Sequence, residues 1–162
     1  MNFDASIADD DLIAAFESAE LPPEGWNHRA HVRVAFASTF DAGSLQVRVN
    51  DDVWAKLCFE YSPQQHPMIV SVVTRGVSDD CNSTQIEEDN VFLRITRRDA
   101  IFAFHYSLDG QLWQLVRHFA LGDAPALQVG LSAQSPTGGG CTATFSQIRY
   151  TPTAVADLRS GD

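Results

Sequence analysis

At 162 residues the chain has the length of one ordinary domain. Lys and Arg number 11 against 21 Asp and Glu, for a formal net charge of -10, which excludes the basic footprint that nucleic acids and anionic membrane surfaces require. The 44% hydrophobic fraction supports a packed core, and no apolar run reaches the roughly 18 residues needed to span a bilayer.

The first twenty residues include Asp9, Asp10 and Asp11, with no basic start and no apolar stretch, so they do not read as a secretory signal. Over residues 10–20, Leu12, Ile13, Phe16 and Ala19 fall on one helical face. Aspartates at the start favour an N-cap and complement the helix dipole, and Pro22-Pro23 closes the segment, so a short helix is predicted there. From residue 31 the period becomes alternating. Val32, Val34 and Phe36 share one side of a strand, and residues 45–49 repeat the pattern. After the turn signal Asn50-Asp51-Asp52 comes a long strand from Val53 to Tyr61. Val53, Ala55, Leu57, Phe59 and Tyr61 take one face; Trp54, Lys56, Cys58 and Glu60 take the other.

Met68 to Thr74 is rich in β-branched residues and reads as a buried strand. Residues 76–90 are polar without an apolar period and read as the longest loop. Strands follow at 91–96, 101–106 and 113–119, with Arg97-Arg98-Asp99 as one turn and Asp109-Gly110 as a hairpin signal. Residues 127–132 and 142–150 are the last strands, joined through Ser135-Pro136-Thr137-Gly138-Gly139-Gly140. Eight or nine short strands with regular turn signals predict an all-β fold of two packed antiparallel sheets, preceded by a short N-terminal helix. The expected divisions are a helical segment over 1–30, a β-sandwich over 31–151 and a flexible tail over 152–162. Cys58, Cys81 and Cys141 are an odd, scattered set, which fits a reduced cytoplasmic compartment.

Several segments carry a resemblance: Phe40 to Arg48, Trp54-Ala55-Lys56 with Glu60-Tyr61, and Ser71-Val72-Val73-Thr74-Arg75-Gly76. Further on come Leu93 to Arg98, Tyr106-Ser107-Leu108-Asp109-Gly110 with Trp113, and Gln128-Val129-Gly130. In order and spacing, residues 40–150 resemble the concanavalin A-like family that includes the regulation-of-enolase protein. The resemblance implies a jelly-roll-like sandwich and names no reaction, since a fold alone does not fix a function. One departure is that Ser78-Asp79 is followed by Asp80 and Cys81, where the family usually has Trp and Ser. Residues 10–36 instead look like the start of a small helical bacterial family, a match that would make residues 28–36 helical.

Alternation places Trp54, Lys56 and Glu60 on one strand face, with Arg48 expected on the neighbouring strand. Two readings stand side by side. One is a carbohydrate-binding face, on which the indole stacks against a sugar ring and charged groups take its hydroxyls. The other is a structural Lys–Glu and Arg network across adjacent strands. The resemblance adds Thr74, Arg75, Asp79 and Arg94 at the rim. A sandwich glucanase would show Glu-x-Asp-x-x-Glu on one strand, and that motif is absent; an enzymatic reading would need Glu60 with a loop carboxylate such as Asp79. His28 and His31 are three apart and could share a metal on a helix, but no third ligand lies nearby. No metal and no cofactor is therefore expected. Nucleophile-elbow, phosphate-loop and dinucleotide motifs are absent. The expected function is non-catalytic, lectin-like binding of a carbohydrate or glycan-like ligand. The alternatives are a glycoside-active enzyme and a protein–protein interaction or regulatory module of sugar metabolism. The expected self-association is a homodimer through an open sheet edge.

Overall fold

The computed structural model describes residues 3–7, 13–14, 24–124 and 127–162. They form twelve strands: β1 Phe3–Ile7, β2 Ile13–Ala14, β3 Trp26–Ala35, β4 Ala42–Asn50, β5 Val53–Tyr61 and β6 Pro67–Arg75. The rest are β7 Val77–Gln85, β8 Asn90–Arg98, β9 Ile101–Ser107, β10 Gln114–Ala120, β11 Gln128–Gln134 and β12 Cys141–Thr151. One sheet, here sheet A, runs β1-β12-β3-β8-β9-β10, and sheet B runs β2-β11-β4-β5-β6-β7. All pairings are antiparallel. Among the described residues no helix is long and apolar enough to cross a membrane.

The core is what the alternation dictates. Trp26, Ala30, Val32 and Val34 of β3 and Leu93 and Ile95 of β8 face Leu45 and Val47 of β4 and Leu57 and Phe59 of β5. Phe102 and Phe104 of β9 and Phe145 of β12 fill the same layer, all essentially inaccessible to solvent. Burying a side chain of this size contributes roughly 1.5–3 kcal/mol relative to leaving it exposed. Phe119 caps the aromatic end, stacked on Phe102 and edge-on to Phe104.

Four expectations are corrected. The helix over residues 10–20 is not seen: of that stretch the described pair Ile13–Ala14 is a strand beside β11, and the rest lies outside the described residues. Residues 28–36 are strand up to Ala35, and β3 begins at Trp26, ahead of the expected boundary at 31, because Trp26 is a core residue. The segment read as a loop over 76–90 holds the nine-residue strand β7. It is the edge of sheet B and almost wholly exposed, so no apolar period marks it. The tail is packed: Leu158 and Gly161 are buried on sheet A, with the Leu158 carbonyl 2.9 Å from His105 Nε2 and the Gly161 carbonyl 2.6 Å from Arg94.

Candidate functional site

The side of sheet B turned away from sheet A is the candidate site. Strand register sets its rows. Gln128, Arg48, Trp54, Thr74 and Ser78 form one row across β11, β4, β5, β6 and β7. Gly130, Gln46, Lys56, Val72 and Asp80 form the next, then Ser132, Ser44, Cys58, Val70 and Asn82. Gln134, Ala42, Glu60, Met68 and Gln85 end the face. Amide, hydroxyl and charged groups thus alternate with the core residues along much of β11, β4 and β5, with one indole among them, while Met68, Val70 and Val72 make the outer side of β6 apolar up to Thr74.

The two ends of this face differ. Toward β-strand residues 42 and 60, Gln134 reaches across Ala42. Its Nε2 donates to Glu60 Oε2 at 3.3 Å and to the Phe40 carbonyl at 3.1 Å, and its Oε1 accepts from Lys56 Nζ at 2.7 Å. Lys56 and Gln134 sit two strands and two rows apart, with Ser44 at the midpoint. Their bond therefore arches over Ser44, which explains why Ala42, Ser44 and Cys58 are buried although no second sheet covers them. Val70 and Met68 complete a small apolar cluster with Ala42 and Cys58. Toward the other end lies Trp54, half-buried, with Arg48 and Thr74 opposite it on the flanking strands. Lys56 Nζ lies 5.9 Å from the centre of the Trp54 ring. The Gln46 amide donates to Ser132 Oγ at 3.0 Å, and the Thr74 and Ser78 hydroxyls are 2.9 Å apart.

Burial pushes the Glu60 carboxyl up from its ordinary 4.5 to about 7; the Lys56 charge opposes this and the Asp80 charge adds to it. Burial likewise pushes the Cys58 thiol up to about 11, so it is a protonated structural residue at neutral pH. Among the described residues the ion pairs are Arg33–Asp89, Arg48–Asp51 and Arg117–Asp79. Lys56 and Glu60 are thus joined through the Gln134 amide and not by a direct ion pair.

Of the residues singled out from the sequence, Arg48, Trp54, Lys56, Glu60 and Thr74 share this face. Three do not. Arg75 pairs with Val53 and Val77 on the opposite side of sheet B and donates to the Ala120 carbonyl at 3.0 Å. Asp79 also faces sheet A, bonded to Arg117 of β10 at 2.8 Å. As a partner acid for Glu60 it is on the wrong side of the sheet. Arg94 belongs to sheet A altogether. The metal reading of His28 and His31 fails on geometry, because three residues along a strand is an odd step and sends the two rings to opposite faces. Among the described residues no group of three His, Cys, Asp or Glu side chains could hold a metal ion. The sequence reading missed Gln46, Gln128 and Gln134. Their signal was present in the polar alternation Gln128, Gly130, Ser132, Gln134 and Ser44, Gln46, Arg48.

The family model described as a protein of unknown function (DUF1349) matches residues 16–153. The Saccharomyces cerevisiae protein named Regulation of enolase protein 1 is 34% identical over 127 residues, which are 75% of this chain and 63% of that protein. The chain therefore spans less than two-thirds of that relative. A solved structure of a functionally unknown protein from Saccharomyces cerevisiae has a TM-score of 0.74 at 28% identity, over 83% of this chain and 71% of that one. The GH43 protein BlXynB from Bacillus licheniformis has a TM-score of 0.71 at 17% identity, over 80% of this chain and 28% of its own. At that identity the likeness is one of fold alone, and this sandwich matches only a part of the larger bacterial chain.

Proposed function

The chain belongs to the DUF1349 family of unknown function, and from the polar face that sheet B turns away from sheet A we propose that it is a non-catalytic binding protein for a carbohydrate or glycan-like polyol. The observation that carries this reading is the row Gln128–Arg48–Trp54–Thr74–Ser78. A half-buried indole on a sheet face, flanked by an amide, a guanidinium and two hydroxyls, offers an apolar platform with planar hydrogen-bonding groups beside it. A sugar ring has the matching chemistry, with apolar C–H faces and an equatorial rim of hydroxyls. Glu60 and Lys56 close one end of the platform through Gln134.

The enzymatic alternative has less support. Glycoside hydrolysis needs two carboxyls flanking one bond, about 5–10 Å apart. Glu60 is buried under the Gln134 amide, Asp79 is turned to the other side of the sheet, and Asp80, the acid on β7 that shares the face, sits two strands and two rows away from Glu60. A regulatory or protein-interaction role has one specific observation in its favour, the name of the 34% identical yeast relative, Regulation of enolase protein 1. The chain covers only 63% of that protein, so the role stays the second reading.

A glycan array probed with the parent chain and with Trp54→Ala tests the first reading. Binding to one or a few related glycans, reduced at least tenfold by Trp54→Ala, is the expected result. Absence of binding across the array, or binding indifferent to the substitution, overturns it and leaves the interaction reading, which a pull-down from native extract then examines.

A further inference from the structure

The outer side of sheet A, on the far side of the molecule from Trp54, carries a second constellation. Register aligns Arg149, Arg29, Arg94 and His105 in one cross-strand row over β12, β3, β8 and β9. Like charges directly opposite one another destabilise a sheet. The chain has a net charge of -10 and ample carboxylates, yet none of these three arginines is in an ion pair among the described residues, and the Asp162 carboxyl acts on Arg94 only from beyond ion-pair distance. Arg94 is only 6% exposed. Its guanidinium stacks 4.0 Å from the Trp113 ring centre, one terminal nitrogen donates to the Gly161 carbonyl, and its Nε is buried without a partner. Arg29 has one long contact, 3.5 Å to the Gly110 carbonyl.

Two neighbours share the deficit. Thr96, two residues along β8 on the same side, has a buried hydroxyl with no partner. His105 is fully buried. Its Nε2 lies 2.9 Å from the Leu158 carbonyl, which only accepts, so Nε2 carries the hydrogen. Burial first, and the Arg94 charge second, hold the ring neutral by pushing it down to about 4, and Nδ1 is then an acceptor without a donor. Three of the buried polar atoms left unpartnered thus lie on β8 and β9 on this side of the sheet, with residues 158–161 over Arg94 and His105. Leaving such a group unmatched costs about 1–3 kcal/mol, and more for a charged one.

We propose that this patch is a phosphate-binding site: Arg94 and Arg29 neutralise the phosphoryl oxygens, Thr96 lies beside them, Trp113 forms a wall, and residues 158–161 form the roof. An anion that accepts from the Arg94 guanidinium and also carries an O–H for the acceptor nitrogen of His105 would match this chemistry. A phosphate group retaining one P–O–H supplies both, whereas a carboxylate supplies only the acceptors. Arginine fits this use because its planar fork matches phosphate oxygens.

The test is thermal melting and calorimetric titration of the full chain with inorganic phosphate, with sodium chloride holding ionic strength constant. Glycerol phosphate and acetate run as parallel arms. A saturable rise in melting temperature with phosphate is expected, with a shift of the Trp113 indole N–H resonance. Arg29→Gln, at a half-exposed position that should not compromise folding, is expected to weaken binding at least tenfold, and Arg94→Gln more. Trp54→Ala should leave it unchanged. With the titrations run at about pH 5.5, where the monoester as well as free phosphate retains a P–O–H, tighter binding of glycerol phosphate assigns the site to a phosphate monoester, and equal or weaker binding assigns it to free phosphate; both support the proposal. No response beyond that to chloride, an equal response to acetate, or full binding by Arg29→Gln overturns it.

Discussion

The neutral amide of Gln134 links an acid and a base that strand geometry keeps from meeting directly. It accepts from Lys56 and donates to Glu60 across β4, and the three side chains together close over Ala42, Ser44 and Cys58. Replacing it with alanine removes both bonds and leaves two ionisable groups unmatched at a partly covered site. Gln134→Ala is expected to cost about 1–3 kcal/mol in unfolding free energy. It should also uncover Cys58. In the parent chain Cys81 is the exposed thiol while Cys58 and Cys141 are buried, so a thiol reagent should label one cysteine quickly. Two fast thiols in Gln134→Ala would confirm the cover, and an unchanged single thiol would show that something else shields Cys58. With water admitted, the Glu60 carboxyl should fall back from about 7 toward its ordinary range, because burial is the largest cause of its shift.

Among the elements, β4 and β7 show opposite extremes of burial. Gly43 of β4 lies directly against β3 and β12 of the facing sheet. A Cβ placed on it would meet Val32 Cγ1 at 2.7 Å, Val34 Cγ2 at 3.1 Å and Ala143 Cβ at 3.2 Å. These are β-branched or backbone-anchored groups of β3 and β12 with little room to yield. Gly43→Ala is therefore expected to destabilise by about 1–3 kcal/mol through overpacking, lowering the melting temperature by several degrees at roughly 2–4 °C per kcal/mol. A melting curve that is unmoved would mean the sheets can separate at no cost. At the other extreme, β7 has solvent on both faces and at its free edge. It is held by its ladder to β6 and by Arg117, which binds both the Asp79 carboxylate and its carbonyl from sheet A. With the bond from Arg75 to the Ala120 carbonyl, Arg117 ties the two sheets together at this side. No apolar period marks β7, because apolar alternation reports which face is buried, and here neither is.

At the scale of the whole molecule, buried titratable groups give the stability a pH dependence with two opposed parts. His28 and His105 are pushed by burial from their ordinary 6.5 down to about 4. Between those values the unfolded chain holds protons that the folded chain refuses, so stability is full above about 6.5 and falls as pH drops toward 4. Glu60 acts in reverse. Its folded carboxyl keeps a proton up to about 7 where the unfolded one releases it near 4.5, so its contribution is full below 4.5 and is lost as pH rises through 7. Asp109 and Asp157, held low chiefly by backbone N–H donors, add to the loss on the acid side. Two histidines outweigh one glutamate between 4.5 and 6.5. The melting temperature is therefore expected to rise with pH over that window, reach its maximum near 6.5, and decline slightly beyond it. Scanning calorimetry from pH 4 to 9 checks this. In Glu60→Gln the decline above 6.5 should vanish and the acid limb should steepen; a decline that persists would place its origin in another group.

The chain by itself determined the class and most of the strands. An alternating run such as the one that begins at His31 specifies a half-buried strand, because a period of two has one wetter and one dry face. The same alternation placed Trp54, Lys56 and Glu60 together, since residues two apart on one strand need no partner to share a face. Only the tertiary structure decided what lies across from them. Register between strands far apart in sequence brought Gln128 and Gln134 beside β4, turned Asp79 and Arg75 to the opposite side, and sent Arg94 to the other sheet. It also stacked three arginines in one row and laid the chain's last residues over them. Pairing partners are chosen by the packing of the whole core, and a one-residue slip would reverse every face, so no local window of sequence contains that information.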